Sequence, residues 1–174
     1  MNKKKQNIII LVLGALAAMG PFSIDMYLPG FPQIANDLHT DIKHVAYSLT
    51  SYFVGISIGQ LLYGPLIDRF GRKKPLIAGL SIYLFAAIGC VFAQDIYTLI
   101  GLRLILAIGA CVGMVAGRAI IRDLFPVSET ARMFSMLMLV MGVAPIIAPT
   151  LGSMVTSTLG WRYIFVILAM LSVL

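Results

Sequence analysis

The sequence predicts an all-helical, membrane-spanning bundle, and three observations support that prediction. Of the 174 residues, 60% are hydrophobic and only 11% are charged, more apolar side chains than a water-soluble domain can hide. The charges are clustered, leaving tracts with one charge or none that are as long as a bilayer is thick. Basic residues gather in alternate loops, as in a chain that crosses a membrane back and forth. Cys90 and Cys111 lie inside apolar tracts without CxxC spacing, so neither a disulfide framework nor a metal cluster is indicated.

A spanning helix needs about 20 apolar residues, because the hydrocarbon core is about 30 Å thick and each residue rises about 1.5 Å. The first span is expected from Ile8 to Pro29 with one charge, Asp25, and the second from Val45 to Ile67 with none. The third, Pro75 to Gln94, is uncharged; the fourth, Ile96 to Gly117, carries only Arg103. A fifth, over about residues 134–156, lies within the uncharged stretch from Met133 to Trp161. The sixth, residues 161–174, is too short to cross a bilayer, so the sequence is expected to end inside a helix.

The start also admits a cleaved signal peptide, since Lys3, Lys4 and Lys5 precede an apolar run and Ala15-Leu16-Ala17 resembles a cleavage site. The run continues past Ala17 to spanning length, which favours an uncleaved first helix. A cytoplasmic N-terminus places Lys3, Lys4, Lys5, Arg69, Arg72, Lys73, Lys74, Arg118, Arg122 and Arg132 inside, with Lys43 and Arg162 outside. This asymmetry is the expectation of the positive-inside rule, and it explains the net charge of +6 without a nucleic-acid partner.

Two ionisable residues fall within expected spans. Asp25 lies four residues from the expected outer end of the first helix and Arg103 seven from that of the fourth, about 6 and 10 Å deep. Charge at such depth is costly unless paired or hydrated, so opposite signs at similar depth suggest a pair or a cavity. A carboxylate whose proton affinity depends on a movable guanidinium is the logic of proton coupling. The plain alternative is a hydrated Asp25 and a snorkelling Arg103.

Small residues recur at helical spacing. Gly109, Gly113 and Gly117 form one stripe, and Ser51, Gly55 and Gly59 another, each suited to close helix approach. Gly55-Ile56-Ser57-Ile58-Gly59 also matches the G-x-S-x-G of serine hydrolases. Catalysis would need a histidine at membrane depth, whereas His39 and His44 fall in the first outside loop; packing is the better reading, and no enzyme is expected. Pro145 and Pro149, one turn apart on the fifth helix, favour a kink. Tyr27, Tyr52 and Phe53 are candidate substrate contacts as a broad aromatic surface, although Tyr27 is also placed like an interfacial anchor.

The loop between the second and third helices reads Gly64-Pro65-Leu66-Ile67-Asp68-Arg69-Phe70-Gly71-Arg72-Lys73-Lys74. It resembles the G-x-x-x-D-R-x-G-R-K/R-K/R signature of the major facilitator superfamily at every defining position. Arg103 followed by Gly109-Ala110-Cys111 is similar to that family's proton-coupling motif, with Leu106 where glutamine is usual and Ala107 where many members have glycine. Gly142-Val143-Ala144-Pro145 and Ala148-Pro149-Thr150-Leu151-Gly152-Ser153 are similar to its antiporter motif. Ser23-Ile24-Asp25-Met26-Tyr27-Leu28-Pro29, Arg118-Ala119-Ile120-Ile121-Arg122-Asp123 and Gly160-Trp161-Arg162 together resemble the bicyclomycin-resistance (Bcr/CflA) group of drug:proton antiporters.

The resemblance implies that residues 1–174 are the N-terminal six-helix bundle of a twelve-helix fold, with the sixth helix truncated and the C-terminal half as partner. It implies inverted three-helix repeats, in which Gly64 to Arg72 and Gly160-Trp161-Arg162 occupy corresponding turns. It further implies a cytoplasmic latch of Gly64, Asp68, Arg69, Gly71, Arg72 and Lys73, with Arg72 paired to Asp123, and a fifth helix that seals through Gly142, Pro145, Pro149 and Gly152. The expected function is efflux of small hydrophobic drugs across the bacterial cytoplasmic membrane in exchange for protons. Asp25 would be the proton site and Arg103 its electrostatic partner, with no cofactor beyond the proton. Two alternatives are a non-transporting fragment that regulates a full-length transporter, and a proton-coupled sugar or metabolite transporter.

Overall fold

The computed structural model describes the backbone of residues 3–173 and the side chains of residue 9 and residues 11–173. The Lys3, Lys4 and Lys5 side chains and Leu174, part of the expected anchors and sixth span, lie outside the described residues. Seven α-helices follow in order: α1 (Lys3–Asp25), α2 (Phe31–Asp37), α3 (Ile42–Phe70), α4 (Lys73–Val91), α5 (Ile96–Leu124), α6 (Val127–Thr158) and α7 (Arg162–Val173), with a 3-10 turn at Leu28–Gly30 between α1 and α2. No strand occurs among the described residues. Large apolar side chains such as Leu61, Phe85 and Ile146 stand well exposed on the outside, as in a bundle solvated by lipid.

Among the described residues, five segments are long and apolar enough to cross a membrane: Leu11–Asp37, Ile42–Phe70, Lys73–Val91, Ile96–Leu124 and Val127–Thr158. Most exceed the expected lengths. The first does not end at Pro29 but continues to Asp37 through a break. Pro29 and Pro32 lack the N–H groups that would bond the carbonyls of Asp25 and Leu28, so the helical ladder is interrupted there and resumes as α2. Asp25 is therefore the last residue of α1, followed by the break and then by α2, instead of lying one turn inside a continuous helix. α6 runs as one helix through both Pro145 and Pro149.

The helices pack side by side with α5 at the centre, against α3, α4 and α1; α6 packs on α1, and α7 on α4. Glycines set these distances. A Cβ on Gly55 would stand 2.5 Å from the Leu104 carbonyl oxygen, and one on Gly59 2.8 Å from Cys111 Cβ, so the second small-residue ladder is the seat of α5 on α3. Ser51 completes it by donating to the Ile100 carbonyl at 2.9 Å. The stripe on α5 divides between two neighbours: Gly109 meets the Tyr83 backbone of α4, Gly113 the Leu16 backbone of α1, and Gly117 touches neither closely.

The two ends of the bundle are named here by Arg72, between α3 and α4, and by Trp161, between α6 and α7. Gly71 (φ +76°) and Gly160 (φ +101°) end the preceding helices in left-handed conformations that L-residues rarely adopt. Asp123 lies at the Arg72 end; Asp37 and Ala93 lie at the Trp161 end.

Candidate functional site: a buried guanidinium and an ion-paired helix corner

Arg103 is completely buried on α5. Its Nη1 donates to the Ser23 carbonyl at 2.8 Å. Its guanidinium carbon lies 4.0 Å from the centre of the Tyr27 ring, 4.7 Å from Tyr52 and 5.9 Å from Phe165. Aromatic faces attract a desolvated cation, and these three come from beyond the end of α1, from α3 and from α7. A second layer holds them: the Tyr27 hydroxyl bonds Ser48 at 2.7 Å, and the Ser23 hydroxyl bonds Tyr83 at 2.7 Å. Arg103 thus joins four spans. Its Nε and Nη2 and the Tyr52 hydroxyl are buried without hydrogen-bond partners among the described residues.

The expected facing of Asp25 and Arg103 is not present as an ion pair. Among the described residues the ion pairs are Arg72–Asp123 and Arg162–Asp37. The reason is angular. Ser23 and Tyr27, four residues apart, both turn toward Arg103, and a residue midway between them projects from the opposite side of a helix. Asp25 is half-buried on that other side, at the edge of the helix break. Depth alone suggested the pair; a check of helical angle would have separated them.

The aromatic candidates also divide. Tyr27 and Tyr52 are wholly buried with their rings against the guanidinium, leaving no face for a ligand, whereas Phe53 is half exposed on the outside of α3. A cavity of about 280 Å³ opens instead between α1, α5 and α6, lined by Ala17, Met114, Arg118, Phe134, Met138 and Met141 among others. Met114 comes from α5 and Met138 and Met141 from α6, and they carry no motif, so only the packing reveals it. Polarizable thioethers suit irregular apolar ligands.

At the Arg72 end, Arg72 Nη2 donates to Asp123 Oδ1 at 3.2 Å, and Nε faces Oδ2 of the same carboxylate. Gly71 turns the chain so that Arg72 reaches the end of α5. Arg69 lies 5.4 Å from the Phe70 ring centre. Asp68 and Lys73 are exposed and, among the described residues, make no ion pair; a Cβ on Gly64 would meet open space. On α6, Gly142 is likewise open, Pro145 is exposed and Pro149 half-buried. Gly152 is pressed against the Met26 backbone at the break in the first span. Ser57 of the G-x-S-x-G match donates to the Phe53 carbonyl of its own helix at 3.0 Å.

The sequence model of the Major Facilitator Superfamily matches residues 11–174. An uncharacterized MFS-type transporter of Bacillus subtilis, YdgK, is 39% identical over 173 residues, covering 98% of this chain and 43% of the relative. A bicyclomycin resistance protein homolog of Haemophilus influenzae is 33% identical, covering 100% and 44%. A chloramphenicol resistance protein of Pseudomonas aeruginosa is 35% identical, covering 92% and 39%. The chain thus spans about two-fifths of the length of these relatives, whose names describe transport or resistance, and the apolar helices make it a multi-pass membrane protein. With a family match over nearly all its residues and the matching helical architecture, the chain belongs to the major facilitator superfamily.

Proposed function

We propose that the chain forms the N-terminal half of a bacterial cytoplasmic-membrane antiporter that exports small hydrophobic compounds in exchange for protons. The observation that carries this reading is similarity along nearly the whole chain to proteins named for bicyclomycin and chloramphenicol resistance. The Arg72 end is cytoplasmic in this reading, because it bears most of the basic loop residues. Drug enters from that side against the methionine-lined cavity, whose missing walls come from the second half.

Asp25 takes up and releases the proton. It is a half-buried carboxylate at the break in the first span with no cation paired to it among the described residues, an expensive placement that favours a functional role. Arg103 acts on it through the backbone, by holding the Ser23 carbonyl two residues away. The Arg72–Asp123 pair fixes the cytoplasmic corner, and the exposed Asp68 is available to meet the second half.

The test is drug-driven proton flux in proteoliposomes, with the chain alone and with the remainder of its native reading frame. Asp25→Asn should abolish drug-driven proton flux while inserting normally; undiminished flux would sink the assignment. A second reading follows from the length relation to the relatives: a fragment that binds and regulates a full-length transporter. It predicts no flux by the chain but altered flux by a co-reconstituted relative.

A further inference from the structure

Trp161 is the only tryptophan in the chain, and it is almost fully buried. A buried indole N–H needs an acceptor. Here Nε1 donates to Asp37 Oδ2 at 2.9 Å, and the backbone N–H donates to Gln33 Oε1 at 3.1 Å. The same Asp37 oxygen accepts from Arg162 Nη1 at 3.3 Å, while Arg162 Nη2 reaches the Ala93 carbonyl at 3.3 Å and the guanidinium lies 4.4 Å from the Trp161 ring centre. One helix corner therefore grips both the end of α2 and the loop between α4 and α5.

This corner repeats the Arg72 corner turned end for end. In each, a left-handed glycine (Gly71, Gly160) precedes an arginine at the start of a helix, and that arginine pairs with an aspartate at the end of a span in the other three-span set (Asp123, Asp37). The Trp161 corner differs in adding a buried indole to the carboxylate. A solvent-exposed ion pair by itself holds little, so the indole makes this the firmer of the two.

What the corner holds is α2, the seven-residue segment beyond the break that begins just after Asp25. Gln33 and Asp37, both on α2, are the corner's two hydrogen-bonded attachments to it, while Ile34 and Ala35 of α2 are buried in the core. We propose that Asp37, Trp161 and Arg162 form a clamp that positions the outer segment of the first span and so governs access from that face to Asp25. In its functional meaning, though not in its measurement, this rests on Asp25 as the proton site.

The single tryptophan supplies the readout. In the 174-residue chain in lipid nanodiscs, Asp37→Ala removes both the acceptor for the indole and the charge that holds Arg162, whereas Asp37→Asn keeps an acceptor and removes only the charge. Acrylamide quenching of Trp161 should rise at least threefold in Asp37→Ala and by clearly less in Asp37→Asn, and Arg72→Gln at the opposite end should leave it unchanged. Equal quenching in wild type and Asp37→Ala, or in the Ala and Asn variants, overturns the clamp. Labelling of Asp25 by a water-soluble carbodiimide, located by mass spectrometry, should also accelerate at least threefold in Asp37→Ala. Opened quenching with unchanged Asp25 labelling overturns control of access. Neither measurement depends on transport, so a failure of the antiporter reading is seen separately in the Asp25→Asn flux.

Discussion

The guanidinium of Arg103 stacks on Tyr27 at 4.0 Å, where opposite charge at similar depth had suggested a contact with Asp25. A desolvated cation–aromatic contact is worth about 2 kcal/mol, and Arg103 has three rings around it together with the Ser23 carbonyl. Arg103→Gln should therefore lower the stability of the bundle in detergent by about 2 kcal/mol or more, read from the shift in its unfolding midpoint. Tyr27→Phe keeps the ring and removes only the Ser48 hydrogen bond, so its cost should be about 1 kcal/mol. Equal effects of the two substitutions would refute the stacking argument.

Gly55 and Gly142 give opposite expectations for the same substitution. A Cβ on Gly55 would press on the backbone oxygen of Leu104, which cannot rotate away, so Gly55→Ala should cost about 1–3 kcal/mol. Nothing lies within 4 Å of a Cβ on Gly142, in the interior of α6, so Gly142→Ala should gain about 0.5–1 kcal/mol from backbone entropy. Thermal unfolding of the two variants decides this, and a loss at both positions would contradict the spacing described.

Arg72 and Asp123 are each more than one-third exposed, so their pairing should contribute only about 0–1 kcal/mol to stability. Under the antiporter reading, Arg72→Asp and Asp123→Arg should each depress transport by tenfold or more while leaving the fold intact, and the combined swap should recover most of it. Persistent loss in the double variant would show that the two residues act independently.

Asp95 caps α5 just outside the span, accepting from the Thr98 N–H at 2.8 Å and from its hydroxyl at 2.6 Å. The hydroxyl bond, then the backbone bond, holds this carboxyl below the ordinary carboxylate range. A depressed folded-state value means that the cap stabilises the helix above the unfolded-state value and is lost as pH falls through the folded one. Exchange of the Thr98 amide should be slow near neutrality and should speed up, relative to its intrinsic rate, only in acid. An Asp95→Ala variant should show fast exchange throughout.

Much of the architecture was legible because a bilayer imposes a one-dimensional rule. Span positions follow from apolar length, and the Arg72–Asp123 corner from the resemblance of the Gly64 to Lys74 loop to the superfamily signature. Pro29 reads as a terminus in the sequence, whereas α2 resumes two residues after it. Tyr27 and Tyr52 read as candidate ligand surface because aromatic composition is visible in a sequence while the occupant of a ring face is not. The methionine-lined cavity went unseen because Met114 and Met138 come from different helices and obey no spacing.

By itself, then, the sequence determined that this is a helical membrane chain, about where it crosses, and which family's motifs it bears, since these depend on local composition and periodicity. Only the tertiary structure decided which faces meet. It turned Asp25 away from Arg103, divided the glycines of α5 between two neighbours, and joined Trp161 to Asp37 across 124 residues. Those outcomes depend on the rotation of each helix about its axis and on contacts between distant segments, and a few tens of degrees there exchange one partner for another.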